Sequence, residues 1–142
     1  MIENVLRNQN QLDVIFNKYD LVAVYLFGSR VDGSATPESD FDFGLLFREN
    51  PSFEEAVILE TNIVSEASEI LNADVDTMVL NSASIEQKFL IIKRGIVVYS
   101  SNDNLRTDFE DVTIRDYLDF KPFLNTFRKE VRETIKEGGF YA

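Results

Sequence analysis

The chain has no cysteine, no histidine and no tryptophan, and only three prolines among its 142 residues. Without cysteine there is no disulfide, no thiolate nucleophile and no Cys-ligated zinc site. Without histidine there is no Ser-His-Asp triad, no imidazole general base and no ordinary catalytic zinc site. Acid–base or metal chemistry must therefore rest on carboxylates, the ligands of hard divalent cations. No run of about 20 apolar residues is present, so no membrane span is expected. Met1-Ile2-Glu3-Asn4 does not open a basic segment followed by an apolar one, so no secretory leader is predicted either. These absences together lead us to expect a soluble, cytoplasmic protein.

What is present is enough for one domain with one core: 142 residues, 44% of them hydrophobic. The net charge is −11, of which −9 falls on residues 1–100 and −2 on residues 101–142. A surface this acidic repels the phosphates of duplex nucleic acid, so direct nucleic-acid binding is not expected. A protein partner, or a nucleotide carried with its metal, is compatible with that charge.

Helical spacing of Val5, Leu12, Ile15, Phe16 and Tyr19 predicts a first helix from about Asn4 to Lys18. Leu21 to Phe27 is short, β-branched and aromatic, and reads as a buried strand ended by Gly28-Ser29. Val31 to Ser39 reads as a loop, because Asp32-Gly33-Ser34 and Thr36-Pro37 break regular structure. Asp40 to Phe47 is a second strand. Ser52 with Glu55 forms a capping box for a helix reaching about Leu71. Asp74 to Leu80 is a third strand. Ser84 with Gln87 caps a further helix that Gly95 stops, and Ile96 to Tyr99 is a fourth strand. The tail reads as two helices, roughly 103–118 and 122–136, with Pro122 in a first turn. The expected fold class is α/β (α+β): a small mixed sheet of about four strands covered by helices. Residues 1–100 form its core, and residues 101–142 a helical extension packed on the same domain.

One segment carries chemistry. Gly28-Ser29-Arg30 ends the first strand, and ten residues separate Ser29 from Asp40-Phe41-Asp42. Side chains alternate along a strand, so Asp40 and Asp42 share a face while Phe41 and Phe43 take the other. Two aligned carboxylates repel unless a cation lies between them, and a pair of magnesium ions is the usual solution. Gly28 lets the chain turn and lets backbone N–H groups approach a phosphate. Ser29 adds a hydroxyl donor and Arg30 a cation for a polyphosphate. Either piece alone is most often a plain turn or a solvated strand edge; stability does not account for the two together.

This arrangement, Gly28-Ser29, ten residues, then Asp40-x-Asp42, resembles the signature of the polymerase-β-like nucleotidyltransferase superfamily. The single-domain size is similar to its minimal (MNT) branch, and the match runs from about Val22 to Tyr99. The stretch Arg106 to Lys121 also looks like the tail of MNT antitoxins paired with HEPN-domain toxins. The superfamily carries a third carboxylate on a later strand. Asp76, followed directly by the apolar Thr77-Met78-Val79-Leu80 run, matches it better; Asp74, two residues earlier on the same face, is the alternative. The resemblance implies a metal-dependent enzyme in which Asp40, Asp42 and Asp76 are catalytic and hold two magnesium ions. Gly28, Ser29 and Arg30 would then bind the phosphates of ATP. It further implies an antitoxin that transfers AMP from ATP to a tyrosine hydroxyl of a HEPN ribonuclease toxin and so inactivates it. A small-molecule nucleotidyltransferase and a non-catalytic toxin-binding module are the alternatives.

Other residues have plainer readings. Glu60 falls among Phe53, Val57, Val64 and Ala67 on a helical wheel, and reads as a partly buried ion pair or the margin of the apolar stripe. Lys88, Lys93 and Arg94 read as solvated, with a place near the nucleotide as the weaker option. Phe109, Tyr117, Phe120, Phe123 and Phe127 read mostly as cover over the sheet, and Phe140 with Tyr141 equally as a partner contact.

Overall fold

The computed structural model describes residues 3–137; Phe140 and Tyr141 lie outside them. In chain order the elements are α1 (Glu3–Arg7), α2 (Gln9–Lys18), β1 (Leu21–Phe27), α3 (Ser29–Asp32), β2 (Phe41–Phe47), α4 (Phe53–Leu71), β3 (Val75–Val79), α5 (Ile85–Arg94), β4 (Ile96–Ser100) and α6 (Asp103–Lys136). The strands form one mixed sheet in the order β3-β2-β1-β4. β1 is antiparallel to both neighbours, and β2 runs parallel to β3 through the α4 crossover.

β1 lies inside the sheet, and six of its seven residues are buried, so it reads as an unbroken apolar run. On one face Phe41, Phe43 and Leu45 pack with Leu12 and Phe16 of α2 and Ile63 and Ala67 of α4. On the other, Tyr25 and Leu46 pack with Leu80 and Ile91, and Phe109 of α6 borders them. Both predicted capping boxes are formed: the Ser52 hydroxyl accepts from Glu55 N–H, and the Ser84 hydroxyl from Gln87 N–H, each with the reciprocal bond.

The elements depart from the sequence reading in several places. The first helix is interrupted at Asn8, whose side-chain amide donates to the Asn4 carbonyl at 2.8 Å and competes with the regular ladder. β3 stops at Val79, and Leu80–Ser82 form a 3₁₀ turn. There the Asn81 amide bonds both the N–H and the carbonyl of Phe47 at 2.9 Å, taking the place of a further strand residue. Gly95 ends α5 as expected, with extended backbone. Glycine is required there by close approach: a Cβ would stand 2.5 Å from the Ile91 carbonyl oxygen.

The tail is one helix, not two, and runs through Pro122. Proline removes the bond to the Leu118 carbonyl. Leu118 is 58% exposed, so solvent can serve that carbonyl and the helix continues. Finally, only part of the tail's aromatic set covers the sheet. Phe109 borders the second core cluster, and Tyr117 stacks on Phe89 of α5 at 3.9 Å, whereas Phe123 and Phe127 are exposed. α6 is tied down at its start: the Tyr25 hydroxyl donates to Glu110 at 2.7 Å, and Arg106 donates to the same oxygen at 3.0 Å. No helix among the described residues is long and apolar enough to cross a membrane.

Candidate active site

The site is set by how β1 ends. Gly28 follows β1 with φ 78° and ψ −154°, a conformation open essentially to glycine alone. Its carbonyl then accepts from the N–H groups of Val31 and Asp32, closing the short helical turn α3. The sequence reading missed this turn because Asp32-Gly33-Ser34 masks it; Asp32 in fact folds back locally, accepting from the Ser34 N–H and hydroxyl. Ser29 therefore opens a turn of helix directly after the strand.

β2 returns beside β1 so that Asp42 is the register partner of Phe27, next to the bend. The contact is close: a Cβ on Gly28 would lie 2.3 Å from Asp42 Oδ2. On its other side β2 pairs in parallel with β3, and there the partner of Asp42 is Asp76. The preceding residue pair joins the strands through Phe41, whose N–H donates to the Asp74 carbonyl at 2.9 Å. Asp74 thus contributes its backbone to the sheet, and Asp76 is the acid aligned with Asp42.

The electrostatics agree with this geometry. The half-buried Asp42 carboxyl is pushed above the usual carboxylate range, first by burial and then by the negative charges of Asp76 and Asp40. Asp76 Oδ1 accepts the N–H of Thr77 at 2.9 Å. Among the described residues no three acidic side chains stand together closely enough to cage a metal ion. One Asp76 oxygen is engaged by that backbone N–H. The donor set itself, hard carboxylate oxygens brought side by side by strand pairing, is chemically suited to magnesium.

Arg30 is placed differently from its expected grip on phosphate. It is 7% exposed, and its Nε and Nη2 donate to the Ser39 carbonyl at 3.2 and 2.6 Å. The guanidinium also lies over the Phe41 ring, 4.1 Å from its centroid. A different arginine, Arg94 at the end of α5, shares a cavity of about 390 Å³ with Phe27, Gly28 and Val31. Lys88 lines a separate cavity with Asp108 and Phe109, and Lys93 lies over the Phe89 ring. Glu60 is neither in an ion pair nor merely marginal: it accepts the Thr77 hydroxyl at 2.6 Å, across the strand from the acid face. Sequence spacing held no signal for this contact, which depends on how α4 crosses β3.

Comparison with known proteins agrees with this arrangement. No curated protein sequence matches the chain. Several crystal structures share its fold. A toxin–antitoxin structure with AMP-PNP aligns at 22% identity and a TM-score of 0.72, covering 88% of this chain and 98% of the other. A complex of a tri-AMPylated Shewanella oneidensis HEPN toxin with an MNT antitoxin aligns at 20% identity and a TM-score of 0.69, covering 90% and 98%. A MntA-HepT toxin–antitoxin complex aligns at 20% identity and a TM-score of 0.69, covering 89% and 98%. At these identities the likeness speaks for the fold. The sequence profile described as "Polymerase beta, Nucleotidyltransferase" matches residues 10–104, which takes in all four strands and every acid of the site, and the chain belongs to that nucleotidyltransferase family.

Proposed function

We propose that the protein is a magnesium-dependent antitoxin that transfers AMP from ATP to a tyrosine hydroxyl of a HEPN ribonuclease toxin. The observation that carries the reading is the parallel register of Asp42 with Asp76 beside the Gly28-Ser29 bend. It sets carboxylates from two strands next to a turn built for close backbone approach.

In this reading Asp40, Asp42 and Asp76 are the catalytic and metal-holding acids. Magnesium, when bound, neutralises the triphosphate and lowers the pKa of the attacking hydroxyl. The chain's own residues do the remaining work. Gly28 keeps the floor of the site clear of a side chain, so a phosphate can lie against backbone N–H groups. Ser29 donates its hydroxyl to the departing pyrophosphate. Asp42 and Asp76, forced together by strand pairing, hold their negative charge where cations must gather, and Asp76 is the oxygen-rich edge that can take the acceptor's proton. The charge alignment on Asp42 supports Asp76 over Asp74 as the third acid. Residues 1–100 house this chemistry, and residues 101–142 form the extension that carries exposed Phe123 and Phe127.

The protein acceptor is supported by the likeness in fold to toxin–antitoxin complexes over nearly the whole chain, one of them containing a tri-AMPylated toxin. The test is to incubate the protein with α-labelled ATP, magnesium and a HEPN-domain protein encoded beside it. Label on the toxin band, lost with Asp40→Asn plus Asp42→Asn, is the expected result. Label on small alcohols alone would point to a small-molecule transferase. Toxin inhibition that survives the double substitution without any label would overturn the catalytic reading.

A further inference from the structure

We propose that Arg30 is a positioning residue that fixes Asp40 by clamping the residues on both sides of it; this rests on the reading of Asp40 as a cation-holding acid.

The clamp has two parts. N-terminal to Asp40, Nε and Nη2 of Arg30 converge on the Ser39 carbonyl. C-terminal to it, the guanidinium carbon lies over the Phe41 ring, 4.1 Å from its centroid, and that ring is itself fully buried. A planar fork can hold a carbonyl along its edge while its face packs on an aromatic ring; a lysine ammonium cannot do both. The location makes the clamp necessary. Asp40 precedes β2, is exposed, and follows a loop that runs from Gly33 to Ser39. Phe41 is anchored by its N–H bond to Asp74 and by the core, but Ser39 has no sheet partner. Within the loop the Ser39 hydroxyl accepts from the Thr36 N–H, and its N–H donates to the Thr36 carbonyl; these order the turn internally without tying it to the domain. Arg30 supplies that tie. Because Arg30 directly follows Ser29, the same turn of helix that presents the phosphate-facing hydroxyl also sets the height of the acid loop.

A buried arginine committed to Ser39 does not reach a phosphate, which separates this role from a substrate-gripping one. Loosening Asp40 changes cation affinity and turnover while leaving the nucleotide's own contacts in place. A displacement of about 1 Å at a reacting group costs on the order of 100-fold in rate.

The experiment compares wild type, Arg30→Met, Arg30→Lys, Asp40→Asn and the Arg30→Met/Asp40→Asn double variant, each checked for native circular dichroism. Two readouts are taken: titration with Mn²⁺ alone, followed by electron paramagnetic resonance, and AMP transfer with kcat and KM for ATP resolved. Arg30→Met is expected to weaken Mn²⁺ binding about as much as Asp40→Asn does and to lower kcat by roughly 10- to 100-fold with KM for ATP changed less than about twofold. In the Asp40→Asn background the Arg30 substitution should add less than about twofold to either readout. Arg30→Lys, which keeps the charge and is the safer variant for folding, should behave like Arg30→Met rather than restore function. The proposal is overturned if the two substitutions multiply independently, if Arg30→Lys is wild-type, or if KM for ATP rises with kcat intact. If wild type binds Mn²⁺ but transfers no AMP, the catalytic reading fails and the Mn²⁺ titration still decides the clamp. If wild type does not bind Mn²⁺, both fall.

Discussion

Gly28 offers the sharpest test of how the site is built, because two separable effects meet at one Cα. At φ 78° and ψ −154° an added Cβ is strained wherever it points, at a cost of about 1–3 kcal/mol. The Cβ would also sit 2.3 Å from Asp42 Oδ2, far inside contact distance. That second effect is cheap for stability, since the carboxylate is the free end of a rotatable side chain and can swing away. For function it is severe: Asp42 must move by about 1 Å or more, which on the scale of oriented reactions costs on the order of 100-fold. Gly33 separates the two contributions. It also has positive φ, 90°, but a Cβ there meets nothing within 4 Å. Gly33→Ala should therefore lose about 1 kcal/mol from backbone strain and keep AMP transfer within about twofold. Gly28→Ala should lose about 1–3 kcal/mol and roughly 100-fold in transfer. Urea unfolding and label transfer from α-labelled ATP measure the two quantities on the same samples. Equal transfer by the two variants would refute the claim that the bend and Asp42 are coupled by contact.

Further outcomes follow from the same geometry. Asp42 is raised by burial and by Asp76 and Asp40, so folded protein binds its proton more readily than unfolded protein does. Its penalty sets in as pH rises from the ordinary value near 3.8 and is fully present once pH exceeds the folded value. Asp42→Asn should thus raise Tm at pH 7, with the gain vanishing below the ordinary carboxylate range, while transfer is lost; a lower Tm at pH 7 would contradict the like-charge account. Tyr25→Phe removes a 2.7 Å bond to Glu110 and should cost about 1 kcal/mol, with faster hydrogen exchange at the start of α6. Ser52→Ala and Ser84→Ala should each cost about 1 kcal/mol by urea unfolding through loss of a formed capping box, with transfer unchanged. Phe123→Ala and Phe127→Ala, at 71% and 63% exposed, should leave the unfolding free energy within about 0.5 kcal/mol.

The sequence by itself determined what local chemistry can specify. Alternation and β-branching marked the strands, Ser-x-x-Glu and Ser-x-x-Gln marked two helix starts, and the spacing from Gly28-Ser29 to Asp40-x-Asp42 marked a candidate site, because each depends on residues a few positions apart. The absence of cysteine and histidine confined the chemistry to carboxylates for the same reason: composition needs no coordinates.

The tertiary structure alone decided what depends on residues brought together from afar. Asp76 is already the better match by resemblance, but its standing opposite Asp42 depends on the parallel register of β2 with β3, and one residue of slip would turn that face inward. Arg30 is a cation by sequence, but its burial between the Ser39 carbonyl and the Phe41 ring is set by how α3 folds against β2. Pro122 signals a break in any local reading, yet the helix carries through it where solvent can serve the orphaned carbonyl. Glu60 finds the Thr77 hydroxyl only because α4 crosses β3 there. Except at Pro122, where solvent decides, the deciding contact spans elements, and its energy has no trace in the few residues on either side.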